Sequence, residues 1–338
     1  MNGYKTLDDH LRSQVCNGND EYYKWLKGWF AHAVQKPRER PETAIVFRGG
    51  EGIGKSIVAE AFGKLVAPHY FLVDHPRYVT GQFNAHMASC LFLFVDEGVW
   101  AGDKTAEGTL KSVVTSKMHM IERKGVDAVR HPNYVRLMIA SNNDWVVPAG
   151  KDARRWFVLD VNPRCKGNQD YFAEMQAELK NGGYEALLYD LLHFDLSQIN
   201  IREAPKTVAL LDQKIEHFDS VETWIYDRLW NGTPTRKHER WPSQVRCSEM
   251  FDDYLTSAEI TGQKRRKVET ELGMRLPKLI SGMARRRSSM RTTAGTERPW
   301  VYVLPALEDC RSSFEEGLGQ PIPWPPIDDD SYLFGVDQ

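Results

Sequence analysis

Thr43-Ala-Ile-Val-Phe-Arg-Gly-Gly-Glu-Gly-Ile-Gly-Lys-Ser56 is the stretch whose reading decides the fold. Gly49, Gly54, Lys55 and Ser56 meet the spacing G-x-x-x-x-G-K-[ST] of a phosphate-binding loop. The flanks agree with it. Residues 44–47 are apolar and read as a buried strand, and 57–66 follow with helical periodicity. Glycines let the backbone close around a phosphate, and the N–H groups at a helix start point at the anion. The expected cradle runs through Gly49, Gly50, Glu51, Gly52, Ile53, Gly54, Lys55, Ser56 and Ile57. Lys55 would reach the β- and γ-phosphates of ATP, and Ser56 would ligate Mg²⁺.

Three downstream features belong to the same chemistry. Leu91-Phe-Leu-Phe-Val-Asp96-Glu97 is an apolar run ending in two acids. Asp96 is expected in the Mg²⁺ shell, with Glu97 as the general base on water. Val135-Arg-Leu-Met-Ile-Ala-Ser-Asn142 is a further buried strand with an amide at its tip, placed to orient that water beside the γ-phosphate. A turn-forming Asn-Asn-Asp is the plainer account of the same residues. Arg154 and Arg155 then open an apolar run at 156–159. An arginine there can act as a finger in a neighbouring subunit's site, an effect of ~10³–10⁵ in rate.

The 338 residues suffice for two domains, and the net charge of -2 excludes a uniformly basic chain. The five cysteines are scattered, with no C-x-x-C pair, which predicts reduced thiols and no structural zinc. No apolar run approaches the ~18 residues of a membrane span. A soluble protein of the host cytoplasm, with no membrane partner, is expected.

The predicted organisation is an N-terminal helical segment at 1–42, an α/β core at 43–162, a helical segment at 163–231, a second domain at 243–316 and an acidic tail at 317–338. In the core, strands are expected at 44–47, 90–95, 135–141 and 156–161. Helical spacing of Tyr23, Leu26, Phe30 and Val34 marks the first segment, and Tyr171, Met175, Leu179, Leu187, Leu188 and Leu192 are core candidates in the third. Residues 232–242 read as a linker. Met118 to Arg130 reads as strand, turn, strand, with Arg123 and Lys124 at a tip suited to a phosphate backbone.

In the second domain two helices, at 248–258 and 268–280, precede a basic loop and a strand at 300–304. Between 264 and 291 stand ten basic residues, among them Lys264, Arg265, Arg266, Lys267, Arg285, Arg286 and Arg287, against two acids, leaving +8. A charge run is usually a solvated face. This density, in a chain otherwise net acidic, points to nucleic acid. The order of elements is similar to a winged helix. The tail 328–334 reads as a solubilising strip, or as a docking or autoinhibitory peptide.

The order of motifs from phosphate loop to arginine, within about 110 residues, resembles superfamily 3 helicases, the hexameric AAA+ ATPases of phages, plasmids and small viruses. The residues Tyr78 to His86, Leu91 to Glu97, Ser141 to Gly150 and Asp152 to Asp160 resemble the branch of phage and plasmid primase-helicases, similar to the helicase part of phage primase-polymerases. The resemblance implies an AAA+ P-loop core with N-terminal helices and a C-terminal winged-helix-like domain. It implies ATP and Mg²⁺ as cofactors, Asn142 as sensor, and Lys124 on a hairpin that tracks single-stranded DNA. It places Lys111 in the segment before that hairpin. It also implies a homo-oligomer, a hexameric ring, acting in phage or mobile-element DNA replication. Only about 40 residues precede the phosphate loop, with no acidic triad or zinc ligand set, and two expectations stand equally: a separate primase or polymerase as partner, or a chain that is a fragment of a longer primase-helicase. Two other functions fit the same motifs. One is an ATP-gated origin-binding or loader factor that holds duplex origin DNA without unwinding it. The other is a P-loop NTPase or kinase acting on a small substrate.

Overall fold

The computed structural model describes residues 3–100, 104–150, 153–262, 267–292 and 295–326. The chain divides into two compact units between His217 and Phe218.

The first unit opens with α1 (Lys5–His10) and α2 (Asp20–Gln35). Asn19 caps α2 by accepting from the Tyr22 N–H at 3.0 Å. The unit continues with β1 (Ala44–Arg48), α3 (Lys55–Leu65), β2 (Tyr70–Val73), α4 (Arg77–Thr80), β3 (Phe92–Val95) and α5 (Lys104–Thr115). The strands β4 (Met118–Arg123) and β5 (Val126–Pro132) form the expected hairpin, and β6 (Arg136–Ser141) and β7 (Trp156–Asp160) return to the sheet. The helices α6 (Gln169–Glu178), α7 (Tyr184–Leu192) and α8 (Val208–Glu216) complete it.

β2, β3, β6, β1 and β7 lie in that order in one five-stranded sheet, every neighbouring pair parallel. Alternation along the strands supplies two cores, as a sheet covered on both faces requires. Phe47, Phe92, Phe94, Met138 and Phe157 point into one core, against Trp29 and Phe30 of α2. Val46, Leu93, Val95, Ile139 and Val158 point into the other, with Leu110 of α5 and Leu210 of α8. Each such buried side chain contributes roughly 1.5–3 kcal/mol.

Two expectations are corrected here. β2, an edge strand whose residues run half-buried, half-buried, exposed and buried, was not foreseen, because its Tyr-Phe-Leu-Val lacks the fully buried character of strands such as β3. In α7 Leu187 is buried as expected, but one turn on the buried residue is Leu191, whereas Leu192 is 49% exposed. Residues 36–41 do end α2, and Arg136 explains how the turn is held. Its buried guanidinium donates to the carbonyls of Lys36 (2.9 Å), Pro37 (3.3 Å) and Glu39 (2.6 Å).

The second unit begins with α9 (Ser220–Trp230), closed by a capping box between Asp219 and Glu222. It continues with β8 (Gln244–Arg246), α10 (Cys247–Ile260), α11 (Glu269–Leu279), β9 (Ala284–Arg287), β10 (Met290–Thr292), β11 (Gly295–Glu297), β12 (Trp300–Val303) and α12 (Leu307–Leu318). β8, β12 and β9 form an antiparallel sheet with β12 in the centre. The region expected as a basic loop is therefore strand: β9 pairs with β12, and β10 with β11. Residues 232–242 are tied into this unit. The Arg236 N–H donates to Asp253 at 2.8 Å, and the Trp241 indole to the Pro305 carbonyl at 3.0 Å. The segment after α12 also packs: Ile322 is buried, and Trp324 lies against Tyr226, Trp230 and Phe314. The strip 328–334 lies outside the described residues.

Candidate functional site at the carboxyl edge of the sheet

In a parallel sheet all strands end on one edge, and ligands bind beyond it. The phosphate loop follows β1, Asp96 and Glu97 follow β3, and Asn142 follows β6, which lies between them. The loop's shape depends on its glycines. Gly49, Gly52 and Gly54 take φ of 140°, 72° and 93°, a region open to glycine. At Gly54 the reason is also contact: an added Cβ would meet His10 Nε2 at 2.6 Å and Phe172 Cε1 at 2.8 Å. The backbone N–H of Gly49 donates to the Ser141 carbonyl at 3.1 Å and that of Gly167 to the Gly52 carbonyl at 3.1 Å, which fixes the loop at its start and at its midpoint.

Lys55 begins α3 and is buried. Its ammonium donates to the carbonyl of Gly49, to that of Gly50 at 2.6 Å and to Asn142 Oδ1 at 2.8 Å. Burial lowers its pKa, opposed by the nearby carboxylates of Asp96, Glu97 and Glu51. Ser56 Oγ donates to Asp96 at 3.3 Å, so hydroxyl and carboxylate are spaced to share a divalent cation. Asn142 Nδ2 donates to Glu97 Oε1 at 3.3 Å. Glu97 is exposed and has φ +56°, an unusual conformation for a side-chain-bearing residue. Such outliers concentrate at functional sites. The donor set fits an anionic phosphate with its metal ion: a glycine-wrapped loop, one ammonium, one hydroxyl–carboxylate pair and one exposed carboxylate. Ile53 packs under the loop and Ile57 lies in the first turn of α3 beneath it.

Arg154 and Arg155 lie in the short helical turn before β7, at the opposite edge of the sheet. The register pairs Trp156 with Ala44, the first residue of β1, whereas the phosphate loop begins after its last residue, Arg48. Neither arginine joins Lys55 within one chain. Arg155 instead lines a cavity of about 260 Å³ with Glu107, Lys111, Gly150 and Trp156. The tip residues Arg123 and Lys124 are exposed on the hairpin, with Gly125 at φ 77°. Met120, Val126 and Val129 on the same hairpin are 53%, 57% and 59% exposed, which a merely solvated hairpin does not need.

In the second unit, Lys264, Arg265 and Arg266 lie outside the described residues. Lys267 pairs with Glu271 at 3.7 Å, and Arg275 is bonded to Asp219 and to Glu222. Arg285, Arg286 and Arg287 are exposed along β9.

Sequence reasoning missed three residues. Arg48 binds Asp160 at 2.5 Å, Asp212 at 2.7 Å and the Asp144 carbonyl at 2.9 Å, tying the end of β1 to β7, to α8 and to the loop after Asn142. His10 is buried beneath Gly54, its pKa lowered to about 4 by burial, with Tyr171 Oη at 3.2 Å from its Nδ1. Asn84 braces the hairpin: it accepts from the Glu122 N–H at 2.8 Å and donates to the Met120 carbonyl at 2.9 Å, as an added strand would. Only Asn84 left a trace in the sequence, lying in the stretch 78–86 that carries the family resemblance.

Residues 47–155 match a family described as "Family of unknown function (DUF5906)". The DNA primase-polymerase of Nitratiruptor phage NrS-1 is 26% identical over 157 residues, 45% of this chain and 22% of that protein. The match thus spans about a fifth of the relative's length. An apo structure of the NrS-1 C-terminal region superposes with a TM-score of 0.67 at 18% identity, covering 88% of this chain and 75% of that one. A second apo form of that region gives 0.63 at 17% identity, covering 88% and 74%. This chain is therefore related in sequence to a phage DNA replication protein and shares the fold of that protein's C-terminal region. Among the described residues no helix is long and apolar enough to cross a membrane.

Proposed function

We propose that the chain is an ATP-driven DNA translocase, a helicase of the superfamily 3 kind with an AAA+ core, working as a ring of identical subunits in phage or mobile-element replication. The observation that carries this reading is the convergence of Lys55, Ser56, Asp96, Glu97 and Asn142 on one sheet edge from three separate strands. A glycine-rich turn alone would need none of the last three. Ser56 and Asp96 would hold Mg²⁺, which supplies charge neutralisation at the phosphates. Lys55 binds the phosphates, Glu97 takes the proton of the attacking water, and Asn142 orients that water while steadying Glu97.

Arg154 and Arg155, at the opposite edge, suit donation to the next subunit's site, and this is one argument for a ring. The exposed apolar residues of the hairpin are another, since a neighbouring hairpin can cover them. The tips, with Arg123 and Lys124, then line a channel suited to a single strand. Similarity to part of a phage primase-polymerase supports a role in replication, beside a primase or polymerase.

The test is strand displacement on a forked DNA with ATP and Mg²⁺, alongside hydrolysis and particle size. Unwinding lost in Lys55→Ala, and hydrolysis lost in Arg154→Ala or Arg155→Ala while nucleotide still binds, is the expected result. A monomer that hydrolyses ATP with no response to DNA would end the proposal.

A further inference from the structure

Trp300 opens the central strand of the second unit's sheet, yet it is 44% exposed. Two guanidiniums lie against its ring, Arg285 at 4.9 Å and Arg287 at 5.3 Å from the centroid. Strand register accounts for this. Trp300 stands opposite Arg287, and the buried Tyr302 opposite Arg285, so all four side chains share one face, which is open to solvent at its Trp300 end. Every residue of β9 is exposed, as is Arg298 just before β12. The ion pair between Arg285 and Glu269, 3.7 Å apart, joins two half-exposed groups and is weak enough to yield to a stronger anion.

The helix ahead of this sheet is less suited to an anionic partner. α11 has Glu269 and Glu271 in its first turn, and Arg275 is engaged by Asp219 and Glu222. Lys278 stands in its last turn, and Met274, 63% exposed, leads its outer face. Among the described residues, the sheet thus carries three consecutive exposed arginines beside an exposed aromatic ring.

We propose that this sheet face is a binding site for single-stranded nucleic acid, with an unpaired base stacked on the Trp300 indole and its guanidinium layer and the adjacent phosphates held by Arg285 and Arg287. Bases in a duplex are already stacked on each other, so a duplex can use only the arginines. A single strand uses both, because every base has a π face. The site rests on the nucleic-acid part of the function proposed above but needs no ATP turnover.

The experiment measures binding by the full chain, without nucleotide, to four fluorescent probes: oligodeoxythymidylate, oligouridylate, an abasic strand of equal length and a duplex. Trp300→Ala is expected to weaken binding to a base-bearing single strand about ten-fold, from the known worth of stacking one base, with the abasic strand and the duplex unaffected. Trp300→Phe should restore most of the loss. Arg287→Ala should weaken all four probes and flatten their salt dependence. Wild-type binding of both base-bearing strands by Trp300→Ala would overturn the proposal, as would an equal loss on the abasic strand. A chain that binds single strands through Trp300 but hydrolyses no ATP keeps this site and removes the translocase reading.

Discussion

The Lys55 ammonium donates to Asn142 Oδ1 at 2.8 Å across 87 residues of sequence, and the amide nitrogen of the same Asn142 faces Glu97 at 3.3 Å. One neutral side chain thus bridges a cation and a carboxylate. Asn142→Ala is expected to leave nucleotide binding nearly unchanged, since the loop and Lys55 remain. It should lower turnover about 10²-fold, the scale of removing one positioned polar group. Steady-state hydrolysis beside equilibrium binding of a fluorescent nucleotide checks this, and a loss confined to affinity would refute the role.

Gly54→Ala tests the packing beneath the loop. Its φ of 93° costs a side-chain-bearing residue about 1–2 kcal/mol, and the new Cβ would press on His10 and Phe172. Thermal unfolding should shift down by roughly 4–8 °C on a total of about 2 kcal/mol. Adding His10→Ala should recover only the part owed to the imidazole. An unchanged melting temperature in the single variant would contradict the geometry.

Stability should fall with acid between pH 6.5 and about 4. His10 and His32 are buried and both have pKa values lowered from 6.5 to about 4, His10 by burial, His32 by burial and then by Arg136. The folded state keeps them neutral, while the unfolded chain takes up their protons once the pH drops below 6.5. Their contribution is complete above that value and is lost as the pH falls toward 4, at most about 3 kcal/mol each. Urea midpoints at pH 7 and pH 5 should differ less in His10→Gln than in the parent chain. An identical difference in both would remove His10 from the account.

Asn84, with Gln82 donating to Glu122 Oε1 at 2.9 Å, holds the hairpin to the segment after α4. α4 itself touches the continuation of the acid strand, where the Trp100 indole donates to Thr80 Oγ1 at 3.4 Å. If the hairpin carries DNA, Asn84→Ala should keep basal hydrolysis and lose most of its stimulation by single-stranded DNA. Equal stimulation in variant and parent would show that the brace has no part in coupling.

The order of the site was legible in the sequence because each piece is local. A phosphate loop needs glycines at fixed offsets, and buried parallel strands are short apolar runs, so 44–47, 91–97 and 135–142 stood out with their polar tips. The hairpin was legible for the same reason, through its Lys-Gly turn. The second unit was less so. Counting charges between 264 and 291 gave one basic segment, but folding engages Arg275 and Lys267 with acids and sets Arg285, Arg286 and Arg287, only the first of them facing an acid, exposed on a strand beside Trp300.

By itself, then, the sequence determined which groups are present, in what order, and which backbone positions require glycine. Only the tertiary structure decided who meets whom. The lateral order of five strands inserts Asn142 between Lys55 and Glu97 and sends Arg154 and Arg155 to the far edge. It also brings His10 under Gly54 and clasps Arg48 between two acids from distant elements. Local spacing is set by bond geometry along the chain. Strand order is set by which apolar faces can be covered together, and no short window of residues contains that information.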